Sequence, residues 1–285
     1  MILIADSGST KTDWRLIDEN RQIHQFSTQG INPYFQGSDE IAEQVIKARL
    51  FPQMHNVMKE AKADEIFFYG AGCRAEEKRQ IVRDALLKKF PAAVVTVETD
   101  MLGAARALCG SHKGIAAILG TGMNSCLYDG KNIVANTASL GYVLGDEGSG
   151  AHLGKTFISA YLNGEVPPEL SKRFEERFKL TRDLILDAVY KQPFPNRFLA
   201  SFSKFIYQNL KEQFIIDMVA ACFESFFDKH VCRFEDYRQH QLSCTGSVAF
   251  YYSNIFRAVA AKKGVAVKTI VESPIAGLTL YHLGE

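Results

Sequence analysis

Short apolar runs closed by clusters of small polar residues punctuate the chain. Met1-Ile2-Leu3-Ile4-Ala5 runs into Asp6-Ser7-Gly8-Ser9-Thr10-Lys11-Thr12-Asp13-Trp14. Ile115-Ala116-Ala117-Ile118-Leu119 runs into Gly120-Thr121-Gly122-Met123-Asn124-Ser125. Each turn leads to a second strand-like stretch (Trp14 to Ile17; Cys126 to Tyr128), a polar turn (Asp18-Glu19-Asn20; Asp129-Gly130-Lys131) and a third strand. One local design therefore occurs twice. Glycine lets backbone N–H groups approach an anion closely, and Ser and Thr hydroxyls add donors. Two such turns facing each other could grip one polyphosphate from both sides.

The remaining pattern predicts strands at 1–5, 12–17, 22–27, 66–69 and 93–98 and helices at about 38–62, 74–89 and 100–109. Apolar spacing at Ile41, Val45, Ile46 and Leu50 marks the first helix. Ile66-Phe67-Phe68-Tyr69 stops at Gly70-Ala71-Gly72, as a buried strand does, and Val94 to Val97 is β-branched in the manner of a parallel strand. Three antiparallel strands followed by alternating helices and strands imply α/β architecture with a mixed sheet covered by helices. The polar break Ser111-His112-Lys113-Gly114 precedes the second copy, which sets domains at 1–112 and 113–285. Residues from about 153 to 240 read as a helical insertion rich in aromatics, interrupted at Pro167-Pro168 and Pro193-Phe194-Pro195. Strand character returns at Leu242 to Thr245 and Val265 to Val271. Two related α/β units are expected to meet at a ligand-binding cleft.

Composition narrows the field. The 285 residues are 47% hydrophobic and 23% charged, which supplies a core. Lys+Arg 33 against Asp+Glu 32 leaves a formal charge of +1, so no basic surface favours nucleic acid. No apolar run reaches the length of a membrane span, and the N-terminus shows no signal-peptide pattern, so neither a membrane nor a secreted setting is expected. The six cysteines (Cys73, Cys109, Cys126, Cys222, Cys232, Cys244) form no CxxC pair and read as buried thiols of a cytoplasmic protein. The seven histidines show no metal-ligand spacing.

Asp6 ends an apolar strand beside a phosphate-type turn, where a hydrated Mg²⁺ would be held; the turn by itself is equally a plain hairpin. Lys11 either contacts phosphate or extends into solvent. Gly120-Thr121-Gly122 is the stronger partner because it repeats the first turn. Gly145-Asp146-Glu147-Gly148-Ser149-Gly150 places two acids between glycines: either a solvated turn or a loop whose carboxylates accept hydrogen bonds from a polyol. Thr99-Asp100 closes a strand and opens a helix. It serves as an N-cap, as an acid that takes a proton from a hydroxyl nucleophile, or as both. Ser243-Cys244-Thr245-Gly246-Ser247 is a strand–helix junction that could back a nucleotide at Gly246 and Ser247. Asn32, before Pro33, is a turn residue or a sugar contact. Gly150 to Thr156 nearly spells a phosphate-binding P-loop, but the required glycine at 149 is Ser149 and no apolar strand leads into it.

Together these motifs resemble the ATPase fold shared by actin, hexokinase and heat-shock chaperones. Asp6 to Thr12 is similar to its first phosphate motif, Gly120-Thr121-Gly122 to its second and Thr245-Gly246-Ser247-Val248 to its adenosine motif. With Leu144-Gly145-Asp146-Glu147-Gly148-Ser149-Gly150, the chain resembles the BadF/BadG/BcrA/BcrD group, and within it N-acetylglucosamine kinases. The resemblance implies two ribonuclease H-like domains around a cleft, ATP with Mg²⁺, an amino-sugar acceptor phosphorylated at C6, and a homodimer. It implies Asp100 as catalytic base and Asn32, Thr121, Asn124 and Asp146 as sugar contacts, with Glu147 beside them. It implies Gly8, Ser9, Thr10, Thr12, Gly120, Gly122 and Gly246 along the nucleotide. One position departs: where mammalian-type enzymes carry Trp before the acidic loop, this chain has Leu140. Glucosamine and N-acetylmuramic acid therefore stand as alternative acceptors. An ATPase activator of a radical dehydratase and a non-catalytic sugar sensor are rival readings on the same fold.

Overall fold

Both apolar runs that end in a glycine turn become the central strand of a five-stranded sheet. The computed structural model describes residues 1–8 and 10–284. Ser9, one of the expected nucleotide-lining residues, lies outside the described residues. In the first sheet, β1 (Ile2–Ser7), β2 (Lys11–Ile17) and β3 (Ile23–Gln29) form an antiparallel meander. β4 (Glu65–Gly70) then pairs parallel to β1, and β5 (Val94–Thr99) parallel to β4, giving the order β3-β2-β1-β4-β5. In the second sheet, β6 (Gly114–Leu119), β7 (Met123–Tyr128) and β8 (Ile133–Asn136) repeat the meander. β9 (Leu242–Thr245) and β10 (Val267–Val271) repeat the parallel pair, in the order β10-β9-β6-β7-β8. The duplication seen in sequence is thus a duplication of topology.

The chain divides into two compact units. One comprises the segment to Ser111, the turn Gly130–Asn132 and the C-terminal segment from Pro274; the other comprises His112–Asp129 and Ile133–Ser273. The C-terminal segment, placed with the second domain in the sequence reading, therefore packs with the first unit.

In the first unit a helix over 38–54, α1, and α2 (Glu76–Lys89) cover one face of the sheet. The core there holds Trp14, whose indole N–H donates to Thr28 Oγ1 at 2.9 Å. The middle of α1, Ile41–Leu50, is wound as π-helix. Its buried residues include the pairs Ile41/Ile46 and Val45/Leu50, five apart, and the wider winding stacks that spacing on the core. The helix ends at Met54 rather than near 62, because residues 55–60 are mostly exposed and give it no face to bury. On the other face, α3 (Asp100–Cys109) and the C-terminal Ile275–Leu283 helix pack over Ile4, Ile17 and Tyr69.

The second unit carries α4 (Gly141–Leu144), α5 (Gly150–Leu162), α6 (Pro168–Phe178), α7 (Arg182–Tyr190), α8 (Pro195–Ser201), α9 (Ser203–Gln208) and α10 (Gln213–Phe226). α10 runs on into a π-helical turn, Phe227–Val231. α11 (Ser247–Tyr251) and α12 (Ser253–Lys262) lie between β9 and β10, and the C-terminal helix is α13. The helical insertion is built on aromatics: Phe174 meets Phe157, Phe202 and Phe205 with ring centroids 5.2–5.5 Å apart. Helices α5 and α8 touch backbone to backbone, since a Cβ at Gly154 would stand 1.9 Å from the Leu199 carbonyl oxygen. All six cysteines are free thiols, and five are buried. Among the described residues, no helix is long and apolar enough to cross a membrane.

Candidate active site

In the first unit, the carboxyl ends of β1, β4 and β5 bring two acids to one edge of the sheet. Register aligns Asp6 with Tyr69, and Gly70 with Thr99, which immediately precedes Asp100. Asp6 and Asp100 thus sit about two strand spacings, roughly 10 Å, apart along that edge. Thr99 caps α3 by accepting the Leu102 N–H, so Asp100 occupies the first helical turn with its own Oδ1 on the Met101 N–H at 2.8 Å. The cap and the acid are both present, and they are adjacent residues. Burial raises the Asp100 carboxyl above the ordinary carboxylate range, against the pull of the Met101 N–H and its own N–H. Asp6 is pushed up to about 7, first by burial and then by the charges of Asp100 and Asp13, with Lys11 opposing. A carboxylate held high is a better proton acceptor near neutral pH.

The turn after β1 leaves its backbone open. A Cβ at Gly8 would meet only the Lys11 carbonyl oxygen, at 3.8 Å. Gly8 N–H donates to that carbonyl, and the Thr10 carbonyl accepts from Gly30 N–H. Lys11 is exposed and pairs with Asp13 at 2.7 Å. Thr12 is buried, its hydroxyl shared with Ser7 Oγ at 2.8 Å and donating to the Gln29 carbonyl at 3.1 Å. Its side chain therefore shapes the hairpin from inside rather than facing a ligand. Asn32 Oδ1 accepts from the Tyr34 N–H at 3.0 Å and would stand 2.9 Å from a Cβ at Gly72. This fixes the loop 31–36 against the residues after β4. Among the described residues, no group of three or more His, Cys, Asp or Glu has the geometry to hold a metal ion. A divalent cation at Asp6 would accordingly complete its shell with water and phosphate oxygens, as Mg²⁺ commonly does.

In the second unit the corresponding turn is Gly120-Thr121-Gly122. Gly120 N–H donates to the Gly122 carbonyl, and the carbonyls of Gly120 and Thr121 accept the N–H groups of Gly150 and Ala151 at the start of α5. Nothing lies within 4 Å of a Cβ built at Gly120, so this turn too presents open backbone. Asp146 is buried beside it: its Oδ1 accepts from Met123 N–H at 3.4 Å and its Oδ2 would stand 3.1 Å from a Cβ at Gly122. Burial raises its carboxyl, with the Glu147 charge adding to the effect. Asn124 Oδ1 accepts from the Ser125 N–H at 2.9 Å. Glu147 behaves differently from its sequence expectation as a sugar contact. Lys229 Nζ donates to one of its oxygens at 2.6 Å, and His230 Nε2 lies 2.8 Å from the other. These partners hold its carboxyl down at about 2 despite burial, so it is ionised and engaged within the protein.

Gly246 joins the same turn to a pocket. Its φ of +111° and a hypothetical Cβ only 2.3 Å from the Leu119 carbonyl oxygen mean that no other residue fits there. The next residue, Ser247, lines a pocket of about 430 Å³ with Ser203, Lys204, Tyr207, Gln208 and Tyr251. The Tyr207 and Tyr251 rings meet edge to face, 5.5 Å apart. Ser247 was legible in the sequence, but the α9 residues, which carry no motif, were not. Lys229 and His230 were also missed; their only signal is a basic pair just after the aromatic run Phe226-Phe227.

No protein-family model and no curated protein matches the chain. Solved structures do. A putative N-acetylglucosamine kinase from Porphyromonas gingivalis is 43% identical, covers 100% of this chain and 99% of its own, and superposes with a TM-score of 0.94. A putative N-acetylglucosamine kinase from Chromobacterium violaceum shares the fold at 15% identity and a TM-score of 0.74, covering 98% of both chains. The ROK family glucokinase of Streptomyces griseus, solved with glucose and AMPPNP, shares it at 14% identity and a TM-score of 0.56, over 98% of this chain and 97% of its own. On the first of these likenesses, the chain belongs to the family of the Porphyromonas gingivalis protein, among the sugar kinases of actin-like ATPase fold.

Proposed function

We propose that the protein is an ATP-dependent amino-sugar kinase of the BadF/BadG/BcrA/BcrD type that converts N-acetylglucosamine to its 6-phosphate. The observation that carries the reading is Asp100, an acid raised by burial at the first turn of a capped helix, on the same sheet edge as Asp6 and the open Gly8 turn. The 43% identity to the Porphyromonas gingivalis protein supports the amino-sugar class.

When bound, ATP supplies the phosphoryl group and Mg²⁺ offsets its charge. Asp6 would hold the cation through water. The open turns that carry Gly8 and Thr10, and Gly120 and Gly122, would let phosphate oxygens approach the backbone closely, and the pocket beyond Ser247 would take the adenosine end. Asn32, Thr121, Asn124 and Asp146 would hold the sugar. Asp100 accepts the proton of the C6 hydroxyl as that oxygen bonds to the γ-phosphorus and the bond to the ADP oxygen breaks. Phosphoryl transfer needs little from the protein beyond alignment and charge stabilisation, which rigid backbone donors and one placed base provide.

The test is ADP release with Mg·ATP and a panel of N-acetylglucosamine, glucosamine, N-acetylmannosamine, N-acetylmuramic acid and glucose, with phosphorus NMR of the product. Turnover highest with N-acetylglucosamine and a 6-phosphate product are expected. Asp100→Asn should lower kcat by about 10²- to 10⁴-fold while ADP still binds. Highest turnover with N-acetylmuramic acid would move the assignment to a bulkier acceptor. Leu140 favours that second reading, because it is 56% exposed beside the acidic loop and leaves space there. Sugar-independent turnover would favour the dehydratase-activator reading. Five of six thiols are buried, which leaves little cysteine surface for a bridging iron–sulfur cluster.

A further inference from the structure

Asp146 is the least self-supporting residue of the acidic loop. Its φ is +57°, a left-handed conformation that a non-glycine residue adopts at a cost, and the hydrogen bond its carboxylate accepts from Met123 N–H is long at 3.4 Å. The anchoring lies one residue further on. Glu147 is gripped by Lys229 at 2.6 Å and by His230 at 2.8 Å, two consecutive residues of the Phe227–Val231 π-turn. Successive side chains on an α-helix diverge by about 100°, and the wider π winding narrows that angle, which helps two neighbours reach one carboxylate. The ring of His230 is fixed in turn. Its Nδ1 lies 3.2 Å from Thr137 Oγ1, Thr137 meets Ser125 Oγ at 2.8 Å, and Ser125 Oγ donates to the His230 carbonyl at 3.3 Å. The following residue, Gly148, rests on Phe226 at the end of α10, where a Cβ would stand 2.8 Å from the Phe226 Cβ. The loop is therefore pinned immediately after Asp146 to the end of α10 and the π-turn that continues it, while the Asp146 carboxylate itself meets the Gly120–Gly122 turn.

We infer that Lys229 and His230 are positioning residues for sugar recognition: by clamping Glu147 they hold Asp146 in its left-handed conformation against the glycine turn. This rests on the reading of Asp146 as a sugar contact. Glu147 and its two partners touch no substrate in this account; they set the place of the carboxylate that does. Lys229 is 57% exposed, so its loss leaves the core intact and its contribution to global stability is small.

The experiment is steady-state kinetics and thermal melting of the full-length protein with Lys229→Met, His230→Gln, His230→Ala, Glu147→Gln and the double variant Lys229→Met/Glu147→Gln. Lys229→Met should raise the sugar KM by about tenfold, as expected for loss of a charge-assisted hydrogen bond that fixes a ligand group, with the ATP KM and the melting temperature unchanged. The double variant should be no worse than Glu147→Gln alone, because both remove one interaction. His230→Gln, which keeps a donor near the Nε2 position, should retain more sugar affinity than His230→Ala. An unchanged sugar KM in Lys229→Met, or additive losses in the double variant, overturns the inference while leaving the kinase reading intact. Wild-type protein that turns over no amino sugar overturns both.

Discussion

Asp6 and Asp100 are desolvated by the same sheet edge, and each carries its own consequence. As the proposed base, Asp100 would accept a proton, and a raised carboxyl serves that role directly. Asp6, if it holds a cation, must be charged, and its elevation to about 7 sets a conflict between stability and function in the protein without ligand. A raised carboxyl favours folding most below its ordinary value of 3.8, and that contribution is lost as pH rises through about 7. Asp6→Asn carries no such dependence. Its stability relative to wild type should therefore grow between pH 4 and pH 7 and level off above, reaching about 2–4 kcal/mol. Sugar-dependent turnover should be lost in the same variant. Denaturant melts of both proteins at pH 4, 6 and 8 measure this. A gap that stays flat across the series would show that Asp6 is not held high. Substrate and cation would narrow the gap by supplying the charge that burial removes.

At the level of elements, the glycine turns are positioned by what lies behind them. Gly246 is the clearest case, because β9 and α11 pass so close to Leu119 that only a residue without Cβ fits, and its φ of +111° admits no other readily. Gly246→Ala should cost about 2–4 kcal/mol through strain and overpacking together. It should also raise the ATP KM more than the sugar KM, since the displaced elements are the Gly120 turn and the Ser247 pocket. Melting curves and the two KM values check it; equal changes in both would detach Gly246 from the nucleotide. Much of this level was legible in sequence. The paired strand–turn–strand designs, the capped Thr99-Asp100 junction and the β9 strand all follow local rules of hydrophobic run, turn residue and cap. What escaped the sequence was non-local. The π winding of Ile41–Leu50 answers to the core beneath it, and the halt at Met54 to the absence of a face to bury. The grip of Lys229 and His230 on Glu147 joins residues more than eighty positions apart, and no spacing rule encodes it.

For the whole molecule, the order of the chain and the order of the fold part company at Pro274. The last helix, α13, follows the second unit in sequence yet packs with the first. Gly277 meets the Ala107 carbonyl of α3, where a Cβ would stand 2.3 Å away. Ile275 and Leu278 are buried with Ile4, Ile17 and Tyr69. His282 stacks on Phe67 with centroids 3.9 Å apart and shares a hydrogen bond of 2.9 Å with the Tyr69 hydroxyl, to which Arg106 of α3 also donates at 2.9 Å. The helix thus braces α3, whose first residue is Asp100, and covers one face of β1, which carries Asp6 near its end. The Gly120–Gly122 turn, Asp146 and the Ser247 pocket lie entirely in the other unit, which has its own core. Ending the chain at Ser273 should therefore separate the two halves of the activity. Loss of two buried aliphatic side chains and their partners removes on the order of 5 kcal/mol from the first unit. Sugar-dependent turnover should fall below detection. The second unit, its elements complete, should still bind ADP by titration calorimetry within about threefold of full-length protein, a difference below 1 kcal/mol. If ADP binding vanished with turnover, the Gly120–Gly122 turn and the Ser247 pocket would not suffice to hold the nucleotide, and the Gly8 turn of the first unit would have to carry a large share of its grip.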